Sequence, residues 1–320
     1  MTEKNKRLNM LPQIPESASG CGSEEAVVGP GRFPPWLHRK LPSGSELWKT
    51  GKVLAKNRLH TVCEEAKCPN LMHCWSKKTA TFLIMGKECT RSCGFCDIDF
   101  SKNPQPLQLD EPDRVADAVK SLGLKHVVIT MVARDDLPDG GAGQVAKTVE
   151  VLRREVPSAT IELLTSDFKG DFESLKVVLE SRPEVFNHNI ETVRALTPRV
   201  RHTATYERTL GVLKNAADFA RNCHPSMLVK SGIMAGLGET EEQVQETLRD
   251  LKAAGCSIIT IGQYLQPKRQ KLLVKAFITP EQFKRYEEYG YTIGLKHMYC
   301  GPFVRSSYNA DEVIERVKQN

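Results

Sequence analysis

The chain has 320 residues, 40% of them hydrophobic, and 45 lysines and arginines against 39 aspartates and glutamates, for a net charge of +6. That is enough apolar material for one large domain or two ordinary ones; the basic excess is mild and has no long run, which argues poorly for nucleic acid and fairly for an acidic or phosphorylated partner. Ten cysteines at this length are too dilute for a disulfide scaffold, no apolar run is long enough to span a bilayer, and residues 1–25 read neither as an export signal nor as an acid-poor presequence, so a reducing cytoplasm is the expected compartment.

From the N-terminus, residues 1–46 are rich in Pro, Gly and Ser (Pro12, Pro15, Gly29-Pro30-Gly31, Pro34-Pro35) and aperiodic, and read as an extended arm with Trp36 and Leu37 as docking points. Residues 47–79 hold a first cysteine triplet, Cys63-x4-Cys68-x5-Cys74. From Ala80 to about residue 296, apolar runs of strand length alternate with amphipathic stretches. Strands are expected at Thr81–Met85, His126–Thr130, Thr160–Leu164, Glu184–His188, Met227–Met234 and Ser257–Ile261. Helices are expected at Asp113–Leu122, Gln144–Glu155, Phe172–Leu179, Glu207–Ala220, Glu241–Ala254 and Pro280–Leu295, with Gly123 and Gly255 as stops. Six strand–helix units in series imply an α/β fold with a parallel sheet and right-handed crossovers, here a partial (β/α)6 TIM-type barrel; residues 297–320 follow as a C-terminal extension. Residues 32–60 are expected to cover the open edge of such a sheet.

In barrels of this kind ligands gather at the C-terminal ends of the strands, so the following loops carry the chemistry. After the first strand comes the second triplet, Cys89-x3-Cys93-x2-Cys96. Neither triplet has a fourth cysteine, so each leaves one metal position for something else, whereas a structural zinc site supplies four protein ligands. Three thiolates on one loop suit three corners of a four-iron, four-sulfur (4Fe-4S) cube. Later loops contribute Arg134-Asp135-Asp136, Ser166-Asp167, His188-Asn189-Ile190-Glu191, the run from Ser231 to Glu239, and Gly262-Gln263. Each has a plainer reading. The aspartates with Asp139 and Gly140-Gly141 form a turn, Gly236 and Gly238 serve a tight strand-to-helix turn, and Glu191 caps a helix or accepts a ribose hydroxyl.

The second triplet, with Phe95 before Cys96, resembles the signature of radical S-adenosylmethionine enzymes. At Thr61–Asn70, Arg134–Ala142, His188–Thr192, Lys230–Ile233, Gly236–Thr240, Gly262–Pro267 and Arg305–Tyr308 the chain, over roughly residues 32–310, resembles the lipoyl synthase family. The resemblance implies insertion of two sulfur atoms at C6 and C8 of an octanoyl chain already attached to a carrier lysine. It implies two 4Fe-4S clusters and S-adenosyl-L-methionine. One cluster, on Cys89, Cys93 and Cys96, takes S-adenosylmethionine and gives a 5′-deoxyadenosyl radical. The other, on Cys63, Cys68 and Cys74, donates sulfur and takes its fourth ligand from Arg305-Ser306-Ser307-Tyr308, with Ser307 assigned and Ser306 the alternative. Arg305 joins Ser307 as an expected catalytic residue. Arg134, Asp135, Asp167, Glu191, Gly236 and Gln263 are the expected cofactor contacts.

The implied partners are octanoylated lipoyl carrier domains (2-oxoacid dehydrogenase E2 subunits and glycine cleavage H protein), an electron donor such as flavodoxin or ferredoxin, and an iron–sulfur carrier that repairs the cluster. No nucleic acid and no membrane are expected. Without the resemblance, Ser306-Ser307 reads as a capped turn before a helix Asp311–Val317. The alternatives to this reading are another auxiliary-cluster radical sulfurtransferase and a zinc-binding module. The remaining cysteines, Cys21, Cys223, Cys256 and Cys300, and the flanking His60 and His73, are not expected to be ligands. Met131, Ala133 and Ser166 depart from the usual family pattern beside the expected cofactor pocket.

Overall fold

The computed structural model describes residues 33–40, 42, 45–312 and 314; most of the expected arm, Cys21 and part of the expected helix Asp311–Val317 lie outside the described residues. Helix α1 (Glu46–Lys56) leads to the short strand β1 (His60–Thr61) and to α2 (Val62–Glu65) and α3 (Leu71–Ser76), which bear Cys63 and Cys74 with Cys68 between them. Strand β2 (Thr81–Ile84) then begins the repeat. Its long loop holds a small pair, β3 (Glu88–Cys89) and β4 (Asp99–Phe100), before α4 (Glu111–Leu122). There follow β5 (His126–Met131), α5 (Ala142–Glu155), β6 (Thr160–Leu164), α6 (Phe172–Glu180), β7 (Val185–Asn187), α7 (Thr197–Val200) and α8 (Tyr206–Cys223). Last come β8 (Leu228–Ala235), α9 (Glu241–Ala253), β9 (Ile258–Gln263), α10 (Pro280–Thr292) and β10 (His297–Gly301).

All six expected strands and six expected helices form, because each strand is buried on both faces and each helix shows one apolar stripe to the sheet. The sheet runs β1-β2-β5-β6-β7-β8-β9-β10, parallel throughout except where β1 pairs antiparallel with β2. It curls without closing, since β1 and β10 remain its two edges, which makes the barrel partial. The expected cover of the open edge is small: only His60 and Thr61 pair with Leu83 and Phe82. Strand β10, in full register with β9, extends the sheet at the other edge. Gly123 ends α4 in the left-handed region at φ +67°.

Beneath the strand ends, the interior is not wholly apolar. Lys230 on β8 reaches both carboxylate oxygens of Glu162 on β6, at 2.9 and 3.0 Å, and Asn187 on β7 donates to Glu162 Oε1 at 2.8 Å. All three residues are fully buried, so this cluster ties three adjacent strands, with Asn187 and Lys230 in register and Glu162 two residues below them along β6. Among the described residues no helix is long and apolar enough to cross a membrane.

Candidate active site

The C-terminal ends of β5–β9 open into a cavity of about 350 Å³, to which Thr81, at the start of β2, also contributes. All six triplet cysteines line it, as do Asp167, Glu191, Arg305, Ser306 and Ser307. The Cys89–Cys96 loop is fixed at both ends. Thr90 bonds Ala133 O through its backbone N–H at 3.0 Å and its hydroxyl at 2.9 Å, pinning the loop to the exit of β5. Gly94 donates to Val200 O and accepts from the Leu272 N–H, at 2.9 and 3.1 Å.

The other triplet is held by its own turns. Thr61 caps α2, accepting from the Glu64 N–H at 3.3 Å; the Cys68 N–H bonds Cys63 O at 3.0 Å, and Thr79 closes on Cys74 O through both its N–H and its hydroxyl at 2.9 Å. The C-terminal motif arrives over β9. A Cβ at Gly262 would stand 1.9 Å from Val304 O, so only glycine admits the passing backbone. Arg39 staples the three segments together: it donates to Asn70 Oδ1 at 2.9 Å and to the Tyr308 hydroxyl at 3.2 Å, and lies 4.1 Å over the Phe303 ring. Asn70 in turn donates to Phe303 O at 2.7 Å. Ser307 lines a second small cavity with Cys63 and Cys74. Ser306 instead accepts from Asn189 Nδ2 at 3.2 Å.

Burial dominates the thiol chemistry. It pushes Cys63 and Cys96 up to about 12 and Cys74 and Cys93 up to about 11, so each of these thiols gives up a proton on binding a metal. Among the described residues no three His, Cys, Asp or Glu side chains converge closely enough for a single ion. A four-iron cube places each thiolate on a different iron and needs the wider spread. Three free cysteines from each segment, facing one cavity, are a donor set of that kind.

The expected cofactor contacts divide. Asp167 and Glu191 line the cavity. Asp167 is paired with Arg91 at 2.7 Å and Arg208 at 3.3 Å; burial would raise its carboxyl, but Arg91 outweighs that and holds it low. Glu191 sits in left-handed backbone at φ +68°, with its carboxyl raised by burial against the pull of Arg201. Arg134, Asp135, Gly236 and Gln263 do not line the cavity. Arg134 is buried and bidentate to Asp136, at 2.9 and 2.8 Å, and Asp135 is bidentate to Arg91, at 2.7 and 2.8 Å. Gln263 donates to Tyr264 O and Ala276 O, at 2.9 and 3.0 Å, and accepts from the Ile278 N–H at 2.7 Å. A Cβ on Gly236 would strike Gln263 Nε2 at 2.3 Å, so its place is in the turn behind the wall.

Sequence reasoning left Arg91, Arg201 and His188 without roles, yet all three line the cavity. Arg91 lies inside the second triplet and was open to view; Arg201 stands in no motif. The His188 ring bonds Thr165 O through Nδ1 at 2.9 Å, and burial lowers it to about 4, so it is neutral, Nδ1 carries the proton and Nε2 is left as an acceptor. That Nε2 has no partner. Met131, Ala133 and Ser166, the departures from the family pattern, also line the cavity.

An open parallel barrel whose first strand is followed by three cysteines at x3, x2 spacing is the framework of a radical S-adenosylmethionine enzyme. The model of the radical SAM superfamily matches residues 83–251. Among solved structures, that of Streptococcus suis SuiB bound to S-adenosylmethionine superposes with a TM-score of 0.53 at 12% identity, covering 68% of this chain and 49% of that one, a likeness of fold alone. The model for the N-terminal domain of lipoyl synthase matches residues 25–68. A curated lipoyl synthase of Protochlamydia amoebophila is 64% identical over 316 residues, 99% of this chain and 96% of that one. That of Chlamydia trachomatis serovar D is 52% identical over 290 residues, 91% of this chain and 92% of the relative. The chain belongs to the lipoyl synthase family.

Proposed function

We propose that this chain inserts two sulfur atoms at C6 and C8 of an octanoyl group borne on the lysine of a lipoyl carrier domain. Family membership gives the sulfurtransferase class, iron–sulfur and S-adenosylmethionine dependence, and the need for a carrier substrate and a reductant. The observation that carries the finer reading is the meeting of both cysteine triplets and the Arg305–Tyr308 segment in one cavity. When bound, two 4Fe-4S clusters and S-adenosylmethionine supply hydrogen-abstracting radical chemistry at one side of that cavity and sulfur at the other.

The chain's own residues divide the work. Cys89, Cys93 and Cys96 hold the first cluster and leave one position for the cofactor. Cys63, Cys68 and Cys74 hold the second, with Ser307 as fourth ligand; the Ser306 hydroxyl is engaged by Asn189, which favours Ser307. The Ser307 hydroxyl would give that cluster an oxygen ligand, a harder and less matched partner for iron than thiolate. Arg305, half-buried near Cys68 and Glu191, supplies positive charge to that side. Asp167, Glu191 and the neutral His188 offer acceptors to the cofactor. Ala66, Phe95, Ile233, Leu265 and Val304 give the cavity apolar lining suited to an eight-carbon chain.

The carriers are the octanoylated domains of 2-oxoacid dehydrogenase E2 subunits or glycine cleavage H protein, with flavodoxin or ferredoxin as reductant and an iron–sulfur carrier for repair, in the cytoplasm. The test is anaerobic incubation of reduced, reconstituted protein with an octanoylated carrier, followed by mass spectrometry. Gain of two sulfurs is expected; no sulfur-bearing product with both clusters full would overturn the reading.

A further inference from the structure

Asp97 directly follows Cys96, and Lys67 directly precedes Cys68. The two residues form an ion pair of 2.9 Å, and Lys268, from the loop after β9, meets the other carboxylate oxygen at 2.7 Å. Asp97 is only 6% exposed, covered by the two lysine chains rather than deep in the core. Lys67, Asp97 and Pro267 all line the cavity, so this junction lies on its rim and brings the first-triplet segment to the Cys89–Cys96 loop, which the loop after β9 also meets where the Leu272 N–H bonds Gly94 O at 3.1 Å.

Lys67 is also held in the left-handed region, at φ +49°, just beyond the end of α2. Glycine is the residue favoured at such a position, since a Cβ crowds the backbone there. A lysine that accepts this conformation next to a cysteine of one triplet, and spans to a carboxylate next to a cysteine of the other, has a use for its side chain.

We propose that Asp97, by gripping Lys67 and Lys268, is a positioning residue that fixes the first cysteine triplet against the second, so that substrate held between them meets both in register. The inference rests on the two-cluster reading above. Loosening the junction uncouples the halves of the reaction without removing a ligand of either.

Lys67→Gly separates this role from a merely structural one, because it relieves the backbone while removing the tie. The variant should melt no lower than the parent protein. In the protein as isolated, amide hydrogen exchange over residues 62–70 should quicken by about fivefold, and Lys268→Ala should do the same more weakly. After reconstitution, S-adenosylmethionine cleavage should stay within about twofold of the parent rate, while 5′-deoxyadenosine formed per sulfur-bearing product should rise by about threefold or more. Lys67→Arg should restore both readouts. Unchanged exchange and an unchanged ratio in Lys67→Gly overturn the proposal, as does a fall in cleavage that keeps step with insertion. If the parent protein makes no sulfur-bearing product at all, the proposed function fails and the exchange measurement alone decides whether the junction holds the segment.

Discussion

Replacing Lys230 by methionine keeps the stem and volume of the side chain and removes only its charge. Glu162 would be left fully buried with one hydrogen bond, from Asn187 at 2.8 Å, and with His126 Nε2 at 3.7 Å. Breaking a buried pair by removing one partner costs about 3–5 kcal/mol, because the remaining charge loses its compensation. At roughly 2–3 °C per kcal/mol for a domain of this size, the melting temperature should drop by about 6–15 °C at pH 7. The sign of the pH dependence follows from Glu162. Burial would raise its carboxyl, but Lys230 and then His126 overcome that and hold it well below its ordinary value. Its contribution to stability is therefore present above the unfolded value of about 4.3 and is lost as pH falls toward the folded one. In the variant burial is opposed only by Asn187 and His126, so the folded carboxyl should lie above the unfolded one and stability should be lost as pH rises. The gap between parent and variant should be widest near neutrality and close as pH approaches 4. Adding Glu162→Gln removes the stranded charge and should recover more than half of the loss. Anaerobic thermal melts from pH 4 to 8 test this; equal stability of Lys230→Met and parent at pH 7, or a double variant no better than the single, would refute the reasoning.

The other predictions concern the cavity. Cys93→Ala should abolish S-adenosylmethionine cleavage, whereas Cys63→Ala should retain some cleavage and lose sulfur insertion; equal loss of cleavage in both would contradict the division of roles. Ser307→Ala should lower insertion by more than about tenfold, and Ser306→Ala, which removes only the Asn189 contact, by about fivefold or less; the reverse order would move the ligand assignment to Ser306. Gly262→Ala must displace Val304 O, since 1.9 Å is more than 1 Å inside the 3.0 Å that real Cβ contacts respect. Carrying Ser307 away by that much should cost insertion about 10²-fold with cleavage largely spared, measured by product and 5′-deoxyadenosine assays in parallel.

The barrel was legible because its strands are local facts. Val127 and Ile129 on β5, or Ile258, Ile259 and Ile261 on β9, are apolar runs that only a doubly covered strand requires. Strands β1 and β10 escaped notice for the opposite reason. His60-Thr61 is too short to show a pattern, and His297-Met-Tyr-Cys-Gly301 is mixed in character because it lies at an edge, where register comes from β9 rather than from its own composition. Helix α1 carries a usable signal in Leu47, Thr50 and Leu54, one apolar face at helical spacing in an otherwise polar stretch. In the site, the cysteines were visible because thiolate spacing on a loop is chemistry written locally. Gly236 and Gln263 stand at strand ends but not among the residues that line the cavity, since residues there serve the wall as often as the ligand. Gln263 is polar and well placed along the chain, but the backbone of Ala276 and Ile278 claims its amide.

Arg39 and Arg201 belong to a third kind, whose role depends on partners far along the chain. Arg39 acts through Asn70, Phe303 and Tyr308, and no pattern within the arm announces that. The same nonlocality bears on how the two triplets differ. Cys89, Cys93 and Cys96 sit on one loop pinned to barrel segments by Thr90 and Gly94, with Lys67 meeting it at Asp97. Cys63, Cys68 and Cys74 sit on short helices outside the repeat, and what brings them to the cavity is the C-terminal segment that Gly262 lets pass and the arm that Arg39 anchors. A site assembled from three distant segments is the one able to loosen without disturbing the other. For a centre proposed to give up its sulfur and be rebuilt, that separation allows disassembly at one end of the cavity while the cofactor end keeps its geometry.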